Sequence, residues 1–275
     1  MGHVLACSKA LIILKTIVII PSRIGSERLP RKPLALIHGR TLVERVYAQC
    51  RRAEGIDEVY VATDAPSIAE EVERFGGKVI MTSSDCASGT DRVAEAAKLL
   101  DTKDGVVINV QGDEPLIDPT VITSLASLMR ENPAIQVSTP VTRLVKAEEL
   151  TNPSIVKVVM NQSWDALYFS RQAIPYLRVA SSTSKEAGDK EIYSWVNKYP
   201  YFKHIGVYAY RPESLRRFVS LDEAPLERAE RLEQLRLLEA GIPIRCLEVQ
   251  YESVAVDTEE DIRKVELILI ERGLG

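Results

Sequence analysis

The chain has 275 residues, a net charge of −4, 45% hydrophobic residues and 27% charged residues. This length and composition are typical of one large globular domain, and the net charge argues against general binding to nucleic acid or to an anionic membrane. The four cysteines form no CxxC pair, so neither a zinc site nor a disulfide framework is expected. These features predict a cytoplasmic protein with a small-molecule ligand.

The first fifteen residues precede the first predicted strand. The tripeptide Leu5-Ala6-Cys7 is similar to the end of a lipoprotein signal, but the four residues before it are too few for an apolar signal region. The later apolar run is interrupted by Lys15 and is too short to span a bilayer. We expect residues 1–15 to be an extension without chemistry of its own, and residues 16–275 to form one domain.

A basic loop follows the first predicted strand. The β-branched run Ile17–Ile20 is typical of a strand that is buried on both faces. The loop after it contains one acid, Glu27, and four cations: Arg23, Arg28, Arg31 and Lys32. Like charges this close repel unless an anion lies among them, and ligands of open α/β sheets bind beyond the carboxyl ends of the strands. The loop therefore favours a phosphate site over its alternative, a solvated basic loop.

Strands and helices alternate through the first half of the chain. Strands are predicted at residues 17–20, 59–63, 78–81 and 106–110. Helices are predicted between them at residues 42–52, 67–75 and 88–100. This alternation predicts a parallel, doubly wound sheet. The absence of GxGxxG and P-loop motifs disfavours a dinucleotide dehydrogenase and a P-loop kinase.

The fourth predicted strand ends in Gln111-Gly112-Asp113-Glu114-Pro115. An aspartate at a strand end, between a Gly turn and a Pro, suits a Mg²⁺ ligand. This ion takes one or two carboxylates and leaves its other positions to phosphate and water. The alternative is that Asp113 only caps the turn ahead of Asp118.

The second half of the chain has a different pattern. Strands are predicted at residues 136–142, 155–160, 166–170 and 204–210, with an alternation that favours antiparallel pairing. Residues 181–189 lack apolar periodicity and predict a surface loop or lid. On the last of these strands, His204, Gly206 and Tyr208 share one face. They form either a recess for a hydroxyl-rich molecule or a buried His and Tyr in the core.

Two helices are predicted near the end of the chain. The first spans Leu226–Ala240, between Pro225 and Gly241, and its leucine stripe favours a core or dimer contact. After a predicted strand at Val254–Val256, Asp257 or Thr258 caps the final helix. Capping does not exclude a second role for Asp257 as a carboxylate at a strand end.

Several motifs together resemble one family. In chain order they are PSRIGSERLPRKPL, ATDAPSIAEEVERFGGKVIMTSSDCASGTDRVAE, NVQGDEPLI, NPSIVKVV, ALYFSRQAIPY, HIGVYAY, PLERAERLEQLR and VDTEEDI. They are similar to the motifs of the 3-deoxy-manno-octulosonate cytidylyltransferases, the CMP-Kdo synthetases of lipopolysaccharide assembly. The basic loop occurs in many sugar nucleotidyltransferases, whereas QGDEP followed by YFSR and HIGVYAY is specific to this family. The resemblance runs from about Ile17 to the end of the chain.

The resemblance implies a GT-A-like nucleotidyltransferase fold of the α/β class. A mostly parallel doubly wound sheet would carry an antiparallel sub-lobe used for substrate binding and dimerisation. Residues 16–130 would be the nucleotide-binding half, 131–250 the sugar-acid and dimer sub-lobe, and 251–275 the return to the main sheet. The implied protein is a homodimer that uses Mg²⁺. In the implied reaction the anomeric hydroxyl of Kdo attacks the α-phosphate of CTP in line, giving CMP-Kdo and pyrophosphate.

The resemblance also assigns residues to roles. CTP would be bound by Pro21, Ser22, Arg23, Arg28, Lys32, Thr63, Asp64, Ser88 and Gly89. Mg²⁺ would be held by Asp113 and Asp257, which with Arg23 and Lys32 would form the catalytic set. The sugar acid would be bound by Gln111, Arg171, His204, Tyr208 and Glu227, with Arg171 paired to its carboxylate.

Two residues depart from the usual phosphate loop of the family. Arg31 stands where L-P-G-K-P has its glycine, and Glu27 stands where a small hydroxyl residue is common. If that glycine position has positive φ, Arg31 costs about 1 kcal/mol. The alternatives are a differently shaped loop or an added phosphate contact from Arg31. The rival functions are a CMP-sialate synthetase, which would lack HIGVYAY, and a non-catalytic nucleotide-binding regulator.

Overall fold

The computed structural model describes residues 15–25, 28–178 and 195–273. The predictions for residues 1–14, for Glu27 and for the loop at residues 181–189 lie outside these ranges. The strands are β1 (Thr16–Pro21), β2 (Leu36–Ile37), β3 (Arg40–Thr41), β4 (Glu58–Thr63), β5 (Val79–Met81), β6 (Val106–Asn109), β7 (Val137–Arg143), β8 (Lys157–Met160), β9 (Ala166–Ser170), β10 (Phe202–His204), β11 (Tyr208–Tyr210) and β12 (Ile244–Glu248). The helices are α1 (Leu42–Arg51), α2 (Pro66–Arg74), α3 (Gly89–Leu99), α4 (Pro119–Glu131), α5 (Ala147–Thr151), α6 (Pro212–Ser220), α7 (Pro225–Glu230), α8 (Leu235–Glu239) and α9 (Glu259–Glu271).

Ten of these strands form one mixed sheet. Its order is β5-β4-β1-β6-β11-β7-β10-β8-β9, and β12 pairs with β7. The pairings among β5, β4, β1 and β6 are parallel, whereas β11 runs antiparallel to both β6 and β7. The antiparallel pairs continue through β10, β8 and β9. The predicted parallel sheet with an antiparallel part is therefore confirmed.

The central strand β1 is buried on both faces, as its sequence predicts. Val18 and Ile20 pack into one hydrophobic core together with side chains of α1, α4 and α9. Ile17 and Ile19 point the other way, into a second core that includes side chains of α3 and α6. Because β1 is held this way, the loop after it starts from a fixed point at the carboxyl edge of the sheet.

Two predicted elements are each divided in the structure. The predicted strand at residues 204–210 leaves the ladder at residues 205–207, where a bulge separates β10 from β11; both pair antiparallel with β7, on the side away from β12. The Thr139 hydroxyl lies 3.2 Å from the carbonyl oxygen of Ile205 and 2.8 Å from that of Val207 at this bulge. The predicted helix at 226–240 ends at Arg231, whose φ of 54° is left-handed, and resumes as α8.

A third prediction, of a strand at Val254–Val256, is wrong. The chain between β12 and α9 has no regular secondary structure. Its backbone hydrogen bonds are single ones, among them one from Val256 N–H to the Asp113 carbonyl oxygen at 2.9 Å, and the Val256 side chain packs in the core. The carboxylate of Asp257 is thus placed by tertiary contacts and not by a strand ladder.

Candidate active site

A cleft of about 880 Å³ opens beyond the carboxyl ends of β1 and β6. The residues that line it come from the basic loop, the start of α3, the turn after β6 and the segment before α9. They are Pro21, Ser22, Arg23, Gly25, Arg28, Lys32, Pro33, Cys86, Ser88, Gly89, Arg92, Gln111, Gly112, Asp113 and Asp257. Most of the residues assigned to CTP and Mg²⁺ from the sequence therefore lie around one space.

Lys32 lies between the two aspartates. Its ammonium nitrogen is 2.8 Å from Oδ2 of Asp113 and 2.8 Å from Oδ1 of Asp257. Arg28 pairs with the other oxygen of Asp257 at 3.0 Å. Burial alone would lower the pKa of Lys32, but the two carboxylates outweigh it and hold that pKa above its usual value. The ammonium therefore stays charged where phosphate groups would lie.

Asp257 does not cap α9; of the two candidates that the sequence offers, Thr258 is the cap. Thr258 caps α9 by accepting from Asp261 N–H, and the Asp261 carboxylate accepts in return from Thr258 N–H. The Asp257 side chain is left for Lys32 and Arg28. Local capping thus fixes the backbone at this point and directs a second carboxylate toward Asp113.

The two carboxylates fit a Mg²⁺ site completed by substrate. Each offers a hard oxygen to the same ammonium, so the two oxygens are separated by at most twice 2.8 Å. Within the described ranges, no group of three or more His, Cys, Asp or Glu side chains could hold a metal ion. Mg²⁺ commonly accepts one or two protein carboxylates with phosphate oxygens and water as its other ligands, so a pair of aspartates is enough.

In the wall of the cleft beside β1, the backbone of Gly112 packs closely against Pro21 and Ser22. A Cβ on Gly112 would lie 2.9 Å from the carbonyl oxygen of Pro21 and 3.1 Å from Ser22 Oγ. Ser22 Oγ is buried and has no hydrogen-bond partner among the described residues. Because an unpaired buried hydroxyl is costly, this atom is available to a ligand in the cleft. Ser88, which also lines the cleft, caps α3 through Asp91.

Thr63 and Asp64, which the resemblance assigns to the cytidine, lie one layer behind the cleft lining. Thr63 is fully buried and accepts from Ala65 N–H at 3.2 Å. Asp64 pairs at 3.4 Å with the guanidinium of Arg92, a residue the sequence reasoning missed. Arg92 also donates to Thr82 at 2.6 Å and lines the cleft itself. The sequence feature that could have indicated Arg92 is that it is the one arginine of an alanine-rich helix, four residues after Ser88.

Gln111, His204 and Tyr208 lie along the neighbouring strands. Tyr208 pairs with Asn109 across β11 and β6, and the Gln111 amide donates to Asn109 at 3.4 Å. The rings of His204 and Tyr208 are 5.2 Å apart. His204 Nε2 lies 3.0 Å from the Thr139 hydroxyl, and burial lowers the pKa of this imidazole to about 3. His204 is therefore neutral, and its side chain already has a partner.

The structure does not bring Arg171 and Glu227 into the cleft lining. The Arg171 guanidinium donates to the carbonyl oxygens of Glu230, Pro153 and Arg231. Glu227 accepts from Arg236 Nε at 2.7 Å, and its carboxylate also caps α7 through Ala224 N–H. Both side chains are thus used within the protein, since every carboxylate oxygen and guanidinium nitrogen involved has a partner.

Two other residues of the same motif, Glu233 and Gln234, have contacts that the sequence did not indicate. Glu233 accepts from the Thr90 hydroxyl at 2.9 Å, in the first turn of α3. Gln234 is 7% exposed, and its amide nitrogen has no partner among the described residues. The sequence reasoning missed both residues because it treated residues 226–240 as one helix. The break at Arg231 turns this part of the motif toward α3.

The family model for cytidylyltransferases matches residues 17–252. The chain belongs to the cytidylyltransferase family. A curated 3-deoxy-manno-octulosonate cytidylyltransferase of Myxococcus xanthus is 45% identical, covering 94% of this chain and 98% of the relative. An 8-amino-3,8-dideoxy-manno-octulosonate cytidylyltransferase of Shewanella frigidimarina is 44% identical, with coverage of 93% and 99%.

A solved structure extends the similarity to the fold of this cytidylyltransferase. It is a CMP:2-keto-3-deoxy-manno-octonic acid synthetase in complex with CTP, with a TM-score of 0.84 and 42% identity. The alignment covers 94% of this chain and 99% of that one. The α/β nucleotidyltransferase fold is therefore confirmed. None of the helices in the described ranges is long and apolar enough to cross a membrane.

Proposed function

We propose that this cytidylyltransferase makes CMP-Kdo and pyrophosphate from CTP and Kdo. The observation that carries the proposal is the convergence of Asp113, Asp257 and Lys32 in a cleft that Arg23 and Arg28 also line. Two carboxylates and three cations suit a triphosphate with a divalent ion better than any uncharged ligand. The names of the relatives from Myxococcus and of the solved synthetase support the choice of sugar acid.

In this proposal the basic loop binds and orients the triphosphate. Arg23 and Arg28 are exposed at the rim of the cleft, whereas Lys32 is half-buried at its floor. Asp113 and Asp257 would hold Mg²⁺, which when bound supplies positive charge against the phosphate oxygens. Lys32 and Arg23 then stabilise the pyrophosphate that leaves as the anomeric hydroxyl attacks the α-phosphorus. Positioning and charge neutralisation account for catalysis of such transfers.

We place the sugar acid beside Gln111, Tyr208 and Gln234. The supporting observations are the Gln111 to Asn109 hydrogen bond beside Tyr208 and the buried amide nitrogens of Asn109 and Gln234, which lack partners among the described residues. Buried amides without partners favour a polar ligand with many hydroxyl groups. Arg171, His204 and Glu227 are assigned to the sugar acid by the resemblance alone, and their side chains already have partners within the protein.

A second candidate substrate is the 8-amino-3,8-dideoxy acid. The relative from Shewanella has nearly the same identity to this chain as the relative from Myxococcus. Both substrates would use the same CTP site and differ only at the far end of the sugar. Turnover with CTP, Mg²⁺ and each sugar acid, with sialic acid as a third arm, distinguishes them by pyrophosphate release. Release with sialic acid alone would overturn the proposal.

The Asp113→Asn variant tests the chemistry itself. Turnover should fall at least about 100-fold, because the amide removes a charged oxygen ligand, while CTP still binds by calorimetry. The matched control is Asp118→Asn, since Asp118 caps α4 and Asn caps a helix equally well. CTP binding to the wild type without turnover on any sugar acid would instead favour a non-catalytic regulator.

We also propose a cytoplasmic homodimer with one continuous domain over residues 16–275 and the subdivision that the resemblance implies. Val145, Leu167 and Tyr176 are large apolar side chains that are 60% exposed or more, and all lie in the proposed sub-lobe. Such surface suits a subunit contact. Sedimentation of the full chain tests the dimer.

A further inference from the structure

Glu114 follows Asp113 directly, but its carboxyl group is not part of the cleft lining. The residue is 7% exposed. Its Oε2 accepts from the Tyr251 hydroxyl at 3.0 Å, its Oε1 accepts from the Ser253 hydroxyl, and the Val254 backbone also hydrogen-bonds to it. All three partners belong to the irregular segment between β12 and α9. This buried carboxyl group therefore links the turn after β6 to the segment between β12 and α9 through several hydrogen bonds.

That irregular segment carries Asp257 to the cleft. It has no strand ladder; its path between Glu248 and Thr258 is fixed by side-chain packing, with Val256 buried in the core, and by separate polar contacts. One is the hydrogen bond from Val256 N–H to the Asp113 carbonyl oxygen. The ion pairs of Asp257 with Lys32 and Arg28 form another set, but a bound triphosphate would compete for these cations. The contacts of Glu114 face away from the ligand and would persist when it binds.

We infer that Glu114 positions Asp257 opposite Asp113 by holding the segment 251–256 against the turn after β6. The inference rests on the proposed cation site at these two aspartates. Glu114 does not touch substrate and is a positioning residue. Residues that orient metal ligands typically change metal affinity by about 10- to 100-fold when they are replaced. Replacing Glu114 should therefore weaken the affinity for Mg²⁺, while the catalytic groups themselves are retained.

The main experiment removes the connection from either side. Glu114→Ala deletes the acceptor, whereas the double variant Tyr251→Phe with Ser253→Ala deletes two donors and leaves the carboxyl group. Glu114→Gln is the conservative variant, because its amide can accept from one hydroxyl and donate to the other. The control is Tyr201→Phe, which removes a buried tyrosine hydrogen bond to the Pro175 carbonyl, away from the cleft.

Two readouts are used on the full chain. Calorimetry of Mg²⁺ in the presence of CTP should show about a tenfold or greater loss of affinity in Glu114→Ala and in the double variant. Saturating Mg²⁺ should restore most of kcat. Glu114→Gln and Tyr201→Phe should stay within about threefold of the wild type. Hydrogen exchange without nucleotide or metal should show faster exchange at Val256 in the first two variants only.

Specific outcomes would overturn the inference. Wild-type Mg²⁺ affinity and Val256 exchange in the double variant would show that the connection does not position Asp257. Equal losses in Tyr201→Phe would show a general effect of lost stability. If the wild type itself bound no Mg²⁺ with CTP, the proposed function would fail first, and this inference with it. If the wild type bound Mg²⁺ and CTP, and the variants bound Mg²⁺ with the same affinity, only the inference would fail.

Discussion

The ammonium nitrogen of Lys32 lies 2.8 Å from Oδ1 of Asp257, although 225 residues separate them along the chain. The same nitrogen contacts Asp113, so a cation of the protein occupies the space between the two carboxylates. Two carboxylates this close would repel each other without it. A triphosphate that attracts Lys32 would release this space to a divalent ion. Nucleotide and metal should therefore bind in a coupled way.

The Lys32→Met variant tests this coupling. Without the ammonium the two aspartates lack their shared partner, so Mg²⁺ should bind more tightly in the absence of nucleotide. CTP affinity should fall by about 10- to 100-fold, because a charge-assisted hydrogen bond to phosphate is lost. Calorimetry of each ligand alone measures both effects. Lys78→Met, which removes a surface ion pair with Glu58, is the control, and unchanged Mg²⁺ binding by Lys32→Met would contradict the idea.

The sequence was sufficient where a signal is local. The apolar run of β1 predicts a strand buried on both faces, and the position of Asp113 after β6 predicts a carboxylate at the edge of the sheet. Asp257 reaches the same cleft as Asp113, although the strand predicted before it does not form. Their separation, however, depends on the Val256 to Asp113 hydrogen bond and on the contacts of Glu114. These contacts join parts of the chain that are distant in sequence, so no periodicity indicates them.

The misplaced predictions have tertiary causes. Residues 204–210 have one continuous strand pattern, but residues 205–207 bulge out of the pairing with β7, and the Thr139 hydroxyl lies beside their freed carbonyl groups. Residues 226–240 have one helical pattern, but Arg231 adopts left-handed φ without being glycine. After the break, Arg236 donates a hydrogen bond to Glu227, and Gln234 is not part of this ion pair. A motif match alone could not tell which acid or amide of PLERAERLEQLR faces the ligand.

Substitution of Glu227 should lower stability without changing the KM for the sugar acid, whereas substitution of Gln234 should raise that KM without changing stability. Glu227→Ala removes one partner of a buried ion pair and should lower the free energy of unfolding by about 3 to 5 kcal/mol. The KM for the sugar acid should stay near normal in the protein that remains folded. Gln234→Leu should leave stability within about 1 kcal/mol, because its amide nitrogen has no partner to lose, and should raise that KM. Denaturant unfolding and steady-state kinetics measure the two effects.

The KM for CTP is the internal control for these two variants. It should stay unchanged in Gln234→Leu if this residue contacts only the sugar acid. A Glu227→Ala protein with normal stability and a raised KM for the sugar acid would reverse the two roles.

Arg31 adopts φ 55° and ψ 31°, the left-handed conformation that the family's glycine would adopt without strain. Arg31→Gly relieves a strain of about 1 to 2 kcal/mol, but it also adds freedom to the unfolded chain. The net gain in the free energy of unfolding should be at most about 1 kcal/mol. Arg31→Ala keeps its Cβ and is the control, with no gain expected. Because Arg31 is exposed and outside the cleft lining, CTP affinity should not change, and a tenfold loss would show a phosphate contact.

His204 should contribute to the pH dependence of stability. Burial lowers its pKa to about 3, from an ordinary value of 6.5 in the unfolded chain. Between these values the unfolded state binds the extra proton, so the free energy of unfolding falls as pH falls from 6.5 toward 3. His204→Gln can still donate to Thr139 but does not titrate, so its stability should fall less steeply over this range. Denaturant unfolding at several pH values measures the slopes, with pH 8, where the imidazole is neutral in both states, as the reference. Parallel curves for the two proteins would show that folding does not lower the pKa of His204.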